Sequence, residues 1–249
     1  MASSIAEISL SRAAKIAGIG YLVIIAAGIF AEFGIRSRLI IQGDAASTVN
    51  NILNSRWLFR LSIGSDLVML ICDIIVAWAL YVFLKPVSSG YSLLAALFRL
   101  VHTAVYGVAL LTLLFILLLL NGAAYLNVFE PEQLQALVLL LANVHSLGYI
   151  IALVFFALHV FIIGYLIFKS GYMPRTLGIL LLLASLGYAV DSFANILLAS
   201  YADYELIFAL AVFLPAFISE LSFALWLLIK GSKIPQAESP GKQYLAAKA

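Results

Sequence analysis

Charge is what this chain has least of. Only 10% of its 249 residues are Asp, Glu, Lys or Arg, where a soluble domain carries about 25%. With 65% hydrophobic residues and a mean hydropathy of +1.13, the chain cannot cover a water-facing surface, and its first partner is the lipid bilayer. Cysteine is nearly absent too. The single Cys72 lies inside an apolar run, can form no internal disulfide and has no thiolate partner for a metal; it reads as a small packing residue. There is no His-Glu-x-x-His helix, Gly-x-Ser-x-Gly elbow, phosphate-binding loop or dinucleotide fingerprint. No catalytic residue is named by the sequence, the metal and cofactor requirements stay unknown, and the reading leans away from an enzyme. The formal charge of +2 is scattered between apolar runs, so no nucleic-acid partner is expected.

What is present is a set of continuous apolar runs, at roughly 14–33, 57–84, 91–120, 135–168, 176–199 and 205–229. A helix needs about 20 apolar residues to cross the hydrocarbon, and continuous runs are unlike the alternating pattern of barrel strands. The predicted fold is an all-α polytopic membrane bundle of about six transmembrane helices in one domain, 1–230, followed by a polar, disordered cytoplasmic tail, 231–249. The first apolar stretch, Ile16 to Phe33, is about 18 residues and exceeds a signal-peptide core of about 7–15, so it reads as a retained helix. Lys85-Pro86, Asn121-Gly122, Ser170-Gly171 and Pro174 punctuate the short connections. In the one longer connection, Gly34–Arg56, Asp44 can cap a short helix through about Ser55 with Val49, Ile52 and Leu53 on one side, lying at the membrane surface.

Lysine and arginine placement predicts both termini in the cytoplasm. That orientation puts every lysine inside, together with Arg12 and Arg175, and puts Glu130, Glu132, Asp203 and Glu205 outside. Arg36, Arg38 and Arg56 in the first outer loop dissent.

Ionisable groups inside a bilayer cost at least about 2.5–3.5 kcal/mol each on insertion scales, yet the apolar runs hold many. Asp73 stands 12 residues before Lys85, His102 12 after Gly90, His159 10 before Lys169 and Glu220 10 before Lys230. At 1.5 Å per residue all four lie roughly 15–18 Å from the same membrane face. Hairpin register brings Ser185 level with His159 and Glu220, and Arg99 lies one turn from His102. These six form a candidate ligand or proton site, in which Asp73 and His102 are expected to share a charge-assisted hydrogen bond, with Arg99 as the competing partner. An outer polar tier holds Glu32, Asp66, His145, Asp191 and Asn195, with Arg60 expected to be neutralised by Asp66 and Asp191. Pro215 should kink the last helix, and with Gly187 is a gate candidate. Ala13, Ala14, Ala17 and Gly18 allow close helix contact, either within the bundle or between copies.

Two stretches carry a family resemblance. One runs Leu80-Tyr81-Val82-Phe83-Leu84-Lys85-Pro86-Val87 into Leu94-Ala95-Ala96-Leu97-Phe98-Arg99-Leu100. The other runs Gly164-Tyr165-Leu166-Ile167-Phe168-Lys169-Ser170-Gly171-Tyr172-Met173-Pro174-Arg175-Thr176-Leu177-Gly178. Together they resemble the membrane family catalogued as domain of unknown function 4386, over about residues 10–230. The resemblance implies a polytopic protein of the bacterial inner membrane, carries no catalytic role, and draws interest to Arg99, Pro174 and Arg175.

Three functions follow. The one carried forward is a buried polar site between helices that binds or transports protons or a small ligand, lipid-like molecules included. The alternatives are an intramembrane metal-dependent enzyme acting on a lipid-like substrate, and a structural or accessory subunit whose partner is a membrane complex or a second copy of the chain.

Overall fold

Capping side chains fix the starts of four helices. Ser9, Asp44 and Ser88 accept the backbone N–H groups of Arg12, Ser47 and Tyr91, satisfying donors a helix start leaves open. Glu130 and Gln133 form a reciprocal capping box ahead of Pro131. Gly171, with φ +73°, closes the helix before it in the left-handed conformation that glycine adopts without strain.

The computed structural model describes residues 8–233. Its helices are α1 (Leu10–Leu39), α2 (Ala45–Asn54), α3 (Arg56–Leu84), α4 (Ser89–Leu119), α5 (Pro131–Lys169), α6 (Arg175–Leu197) and α7 (Tyr201–Ile229). No strand occurs among the described residues, and six helices are long and apolar enough to cross a membrane, α2 being the exception. Each long helix packs on the next in chain order, and α7 returns to α1, closing a ring of six. One end of the bundle, the termini end below, carries the first turn of α1 and the last turn of α7; the other carries α2.

Two segments depart from expectation. The first helix does not stop near Phe33. It continues to Leu39 through a π-helical stretch, Phe30–Arg36, so Arg36 is a buried bundle residue rather than a loop residue. Gly231–Lys233, assigned from sequence to the disordered tail, form a 3-10 turn in which Gly231 is buried against Ala14 and the Ser232 carbonyl accepts the Ser11 hydroxyl. The rest of that tail, 234–249, lies outside the described residues.

Helix α2 turns Thr48, Val49 and Ile52 inward and leaves Leu53 exposed. Its buried face meets Ile35, Phe59 and Val138, so it roofs the bundle. Hydrogen bonds from the Ser47 hydroxyl and amide hold the Asp44 carboxyl below its ordinary value. A lowered folded pKa means this cap stabilises α2 at neutral pH and is lost only as pH falls through that lowered value.

Lipid tails are as apolar as leucine, so close packing rather than water exclusion joins the helices. A Cβ on Gly18 would lie 2.6 Å from the Leu228 side chain, and one on Gly20 2.4 Å from that of Val76. With Ala13, Ala14 and Ala17 also buried within the chain, the small residues of α1 serve internal packing. The core is uneven. At the termini end it draws on all six long helices, with Tyr21, Phe83, Ala95, Ile163, Leu177 and Phe223 among its members. At the α2 end it is built from α1 to α5 alone, around Ile35, Ile52, Phe59, Leu113 and Val138. The neighbouring halves of α6 and α7 stand outside that second cluster, leaving space in the ring.

Candidate functional site

That space is a cavity of about 410 Å³ lined by residues of all six long helices. Its polar groups form two tiers one heptad apart. Asp66 and Asp73 on α3, Arg99 and Tyr106 on α4, and Tyr149 and Phe156 on α5 are each seven residues apart, a separation of roughly 10 Å along a helix, and all six line the cavity.

The inner tier is organised by Arg99, which is completely buried. Its Nε and Nη2 donate to Asp73 Oδ1 at 2.9 and 2.5 Å, and its Nη1 donates to Tyr21 Oη at 2.8 Å and lies 3.1 Å from His159 Nε2. The guanidinium also rests over the rings of Tyr21 and Phe156, 4.7 and 5.4 Å from their centroids. Because Arg99 can only donate, His159 Nε2 must accept, so His159 Nδ1 carries the proton and donates to the Ala95 carbonyl at 2.8 Å. Both ring nitrogens are therefore committed. His159 supports Arg99 from behind and does not line the cavity.

His102 Nδ1 lies 3.0 Å from the Ala152 carbonyl, and its Nε2 is 3.6 Å from Asp73 Oδ2. That distance is too long for a hydrogen bond. The expected Asp73–His102 bond is thus replaced by Asp73–Arg99, because the guanidinium reaches the same carboxylate with two donors. His145 Nδ1 meets the Ala109 carbonyl at 3.2 Å. The three histidines form one ladder between antiparallel α4 and α5, with rungs Ala95–His159, Ala152–His102 and Ala109–His145 spaced by heptads. Alanine at each rung lets an imidazole reach the opposite backbone. Helix approach is close here: a Cβ on Gly148 would lie 2.5 Å from that of Ala109.

The outer tier centres on Arg36, which sequence reasoning placed in a loop. Its Nη1 and Nη2 donate to Asp66, and its Nε to Glu32 Oε2 at 2.8 Å. The π-helical stretch sets Arg36 inward one turn after Glu32; such stretches recur at functional sites. Arg60 takes no part. It is exposed and does not line the cavity, so its neutralisation by Asp66 and Asp191 is corrected: Asp66 serves Arg36, and Asp191 accepts the Tyr201 hydroxyl at 2.7 Å. Arg60→Ala should accordingly change stability by no more than about 0.5 kcal/mol, the range of surface substitutions, in thermal unfolding of the detergent-solubilised protein; a loss above about 2 kcal/mol would restore the internal role.

Of the expected ligand-site residues, Asp73, Arg99, His102 and Glu220 line the cavity, while Ser185 turns back to the Leu182 carbonyl of its own helix at 2.7 Å. Of the outer tier, Glu32, Asp66 and His145 line it, and Arg60, Asp191 and Asn195 do not. Tyr21, Tyr106, Tyr149 and Tyr188 went unnoticed, although heptad spacing marks Tyr106 and Tyr149, and Arg36 was read as a loop residue. Tyr188 donates to Glu220 Oε1 at 2.6 Å. Among the described residues, no three His, Cys, Asp or Glu side chains converge as a metal site. Glu32, a lining residue of the outer tier, keeps 53% of its side chain exposed, and Phe33 of α1 meets Phe213 of α7 edge-on at 5.4 Å. Pro215 lies within the continuous helix α7, between the lining residues Phe213 and Phe217.

Six spans around a polar interior make this a multi-pass helical membrane protein. The chain belongs to the family described as domain of unknown function DUF4386, whose family model matches residues 16–231. A protein of Archaeoglobus fulgidus, itself described as uncharacterized, is 35% identical over 178 residues, which is 72% of this chain and 88% of the relative. No solved structure matches the chain. The stretch that carried the resemblance forms a clamp at the termini end. Tyr172 donates to the Phe83 carbonyl at 3.2 Å, Met173 enters the core, and Gly178 meets Gly164. Burial pushes the Tyr172 phenol up to about 12, so the hydroxyl remains a donor throughout the neutral range.

Proposed function

We propose that this protein binds a small, mainly apolar ligand in the interior cavity. The observation that carries this reading is the cavity itself. Polar groups that served only to fasten helices would be expected to close on one another, as Asp73 does on Arg99, yet these two face a common space of about 410 Å³ together with His102, His145 and Glu220. That volume lies within the roughly 300–1,000 Å³ of small-molecule sites, which combine apolar walls with a few polar groups. The metal-dependent enzyme is less well supported, since the histidines are spread over three rungs rather than gathered. An accessory subunit would have little use for the space.

The same reading puts the protein in a cytoplasmic membrane with both ends inside. The distribution of lysines supports that orientation, and with Arg36 inside the bundle the dissenting outer loop loses one of its basic residues. The archaeal relative means that a bacterial envelope is not required for the fold.

Thermal unfolding in lipid nanodiscs tests binding. The probes are benzyltrimethylammonium, neopentylbenzene and benzylsulfonate, which share one shape and differ in charge. At least one should stabilise the protein saturably, by about 1.4 kcal/mol at ten times its Kd. Ser146→Trp, which places a large ring in the cavity, should abolish that gain while moving the unliganded midpoint by only a few degrees. If none of the probes stabilises the protein, or if Ser146→Trp leaves the gain intact, the cavity is not a binding site.

A further inference from the structure

The balance of charge around the cavity specifies what kind of ligand fits it. Four carboxyl groups, Glu32, Asp66, Asp73 and Glu220, line it against two guanidinium groups, Arg36 and Arg99. Both guanidiniums are already engaged. Arg36 holds Asp66 and Glu32, and Arg99 holds Asp73, Tyr21 and His159. Glu220 is left over. It is only 9% exposed, its hydrogen-bond donor is the neutral Tyr188 phenol, and among the described residues no Lys, Arg or His lies within ion-pair distance of it. A carboxyl group so deep in an apolar medium ionises only when a cation sits beside it, which a cationic ligand would supply. Aromatic rings stand around the same space: Tyr188 packs edge-on against Phe156 at 5.5 Å, and Tyr149 and Phe217 complete the wall. A ring face attracts a cation, and aromatic walls are a recurrent way of holding quaternary ammonium groups.

We propose that the ligand is an organic cation, a hydrophobic amine or quaternary ammonium, seated with its charge against Glu220 and its apolar body among Tyr149, Tyr188 and Phe217. This rests on the binding reading above and assigns it a ligand class. An inorganic cation would leave the aromatic walls unused, and an anion would meet the carboxyl group of Glu220, which no guanidinium holds.

Affinities for the three isosteric probes, measured in nanodiscs, decide it. Benzyltrimethylammonium should bind wild-type protein at least tenfold more tightly than benzylsulfonate. Glu220→Gln should weaken the cation at least tenfold and change neopentylbenzene by less than about twofold. Tyr149→Leu, which keeps an apolar wall without a ring face, should weaken the cation about three- to tenfold and the neutral probe by less than about twofold. It also covers the case in which Glu220→Gln does not fold. Equal wild-type affinities for cation and anion, or equal weakening of cation and neutral probe in either variant, would overturn the organic-cation class while leaving the cavity a binding site. Absence of binding by all three probes would overturn both.

Discussion

Arg99→Met should destabilise the folded protein by about 3–5 kcal/mol, the cost of leaving one member of a buried ion pair without the other. Among the described residues Arg99 is the only hydrogen-bond donor to Asp73, and it also supplies Tyr21 and His159, so its removal strands three groups from α1, α3 and α5 together. Asp73→Asn should cost a comparable amount by leaving the guanidinium unbalanced. The double variant Asp73→Asn/Arg99→Met should recover a large part of the loss, since two neutral side chains need less from each other than one orphaned charge does. Denaturant titration in mixed micelles reads all three, and the cycle isolates the pair. The parallel cycle of Asp73→Asn with His102→Gln should give weak coupling, because that contact is 3.6 Å long. Strong coupling to His102 with none to Arg99 would mean that the guanidinium is not the anchor of the inner tier.

The second large effect is expected at the crossing of α5 and α6. A Cβ added to Gly164 would lie 2.9 Å from the Gly178 carbonyl oxygen, and one added to Gly178 would lie 2.8 Å from the Gly164 carbonyl oxygen and 2.9 Å from the Phe168 amide nitrogen. These are backbone atoms and cannot step aside as the end of a side chain would. Alanine normally gains about 1 kcal/mol over glycine within a helix, whereas overpacking costs about 1–3 kcal/mol. Gly178→Ala should therefore lose stability on balance, and Gly178→Val should lose more. Gly64→Ala in α3, where an added Cβ meets nothing within 4 Å, should be neutral or favourable. If Gly178→Ala proved as benign as Gly64→Ala, the two helices would not be in contact at this point.

Most of the architecture could be read from the chain because a membrane span is a long signal: a score of apolar residues bounded by Lys85-Pro86 or Ser170-Gly171 leaves little room for another reading. Depth was estimated from the constant rise per residue. Asp73, His102, His159 and Glu220 were expected at one level; Asp73, His102 and Glu220 line the cavity, and His159 stands behind Arg99. Rotation about the helix axis was harder. A residue's level says nothing about the direction it faces, so Arg60 was turned inward while it lies exposed, and Ser185 was aimed at a site it does not line. Arg36 was lost for a different reason. A charged residue just past Gly34 resembles the start of a loop, and the π-helical turn that brings it back inside has no distinctive composition. The heptad spacing of Asp66 with Asp73 and of His145 with His159 carried the missing rotational information.

The ladder between α4 and α5 has a mechanical consequence. Its three rungs alternate in direction, two imidazoles reaching from α5 and one from α4. Sliding either helix by one residue would pull every ring away from its carbonyl at once, and a shift in the opposite direction would do the same. The pair is therefore a stiff rail. Elastic compliance is left to the side of the ring where Pro215 removes one backbone hydrogen bond from α7 and α1 is underwound into a wider coil, so bending of the bundle should concentrate in those two helices.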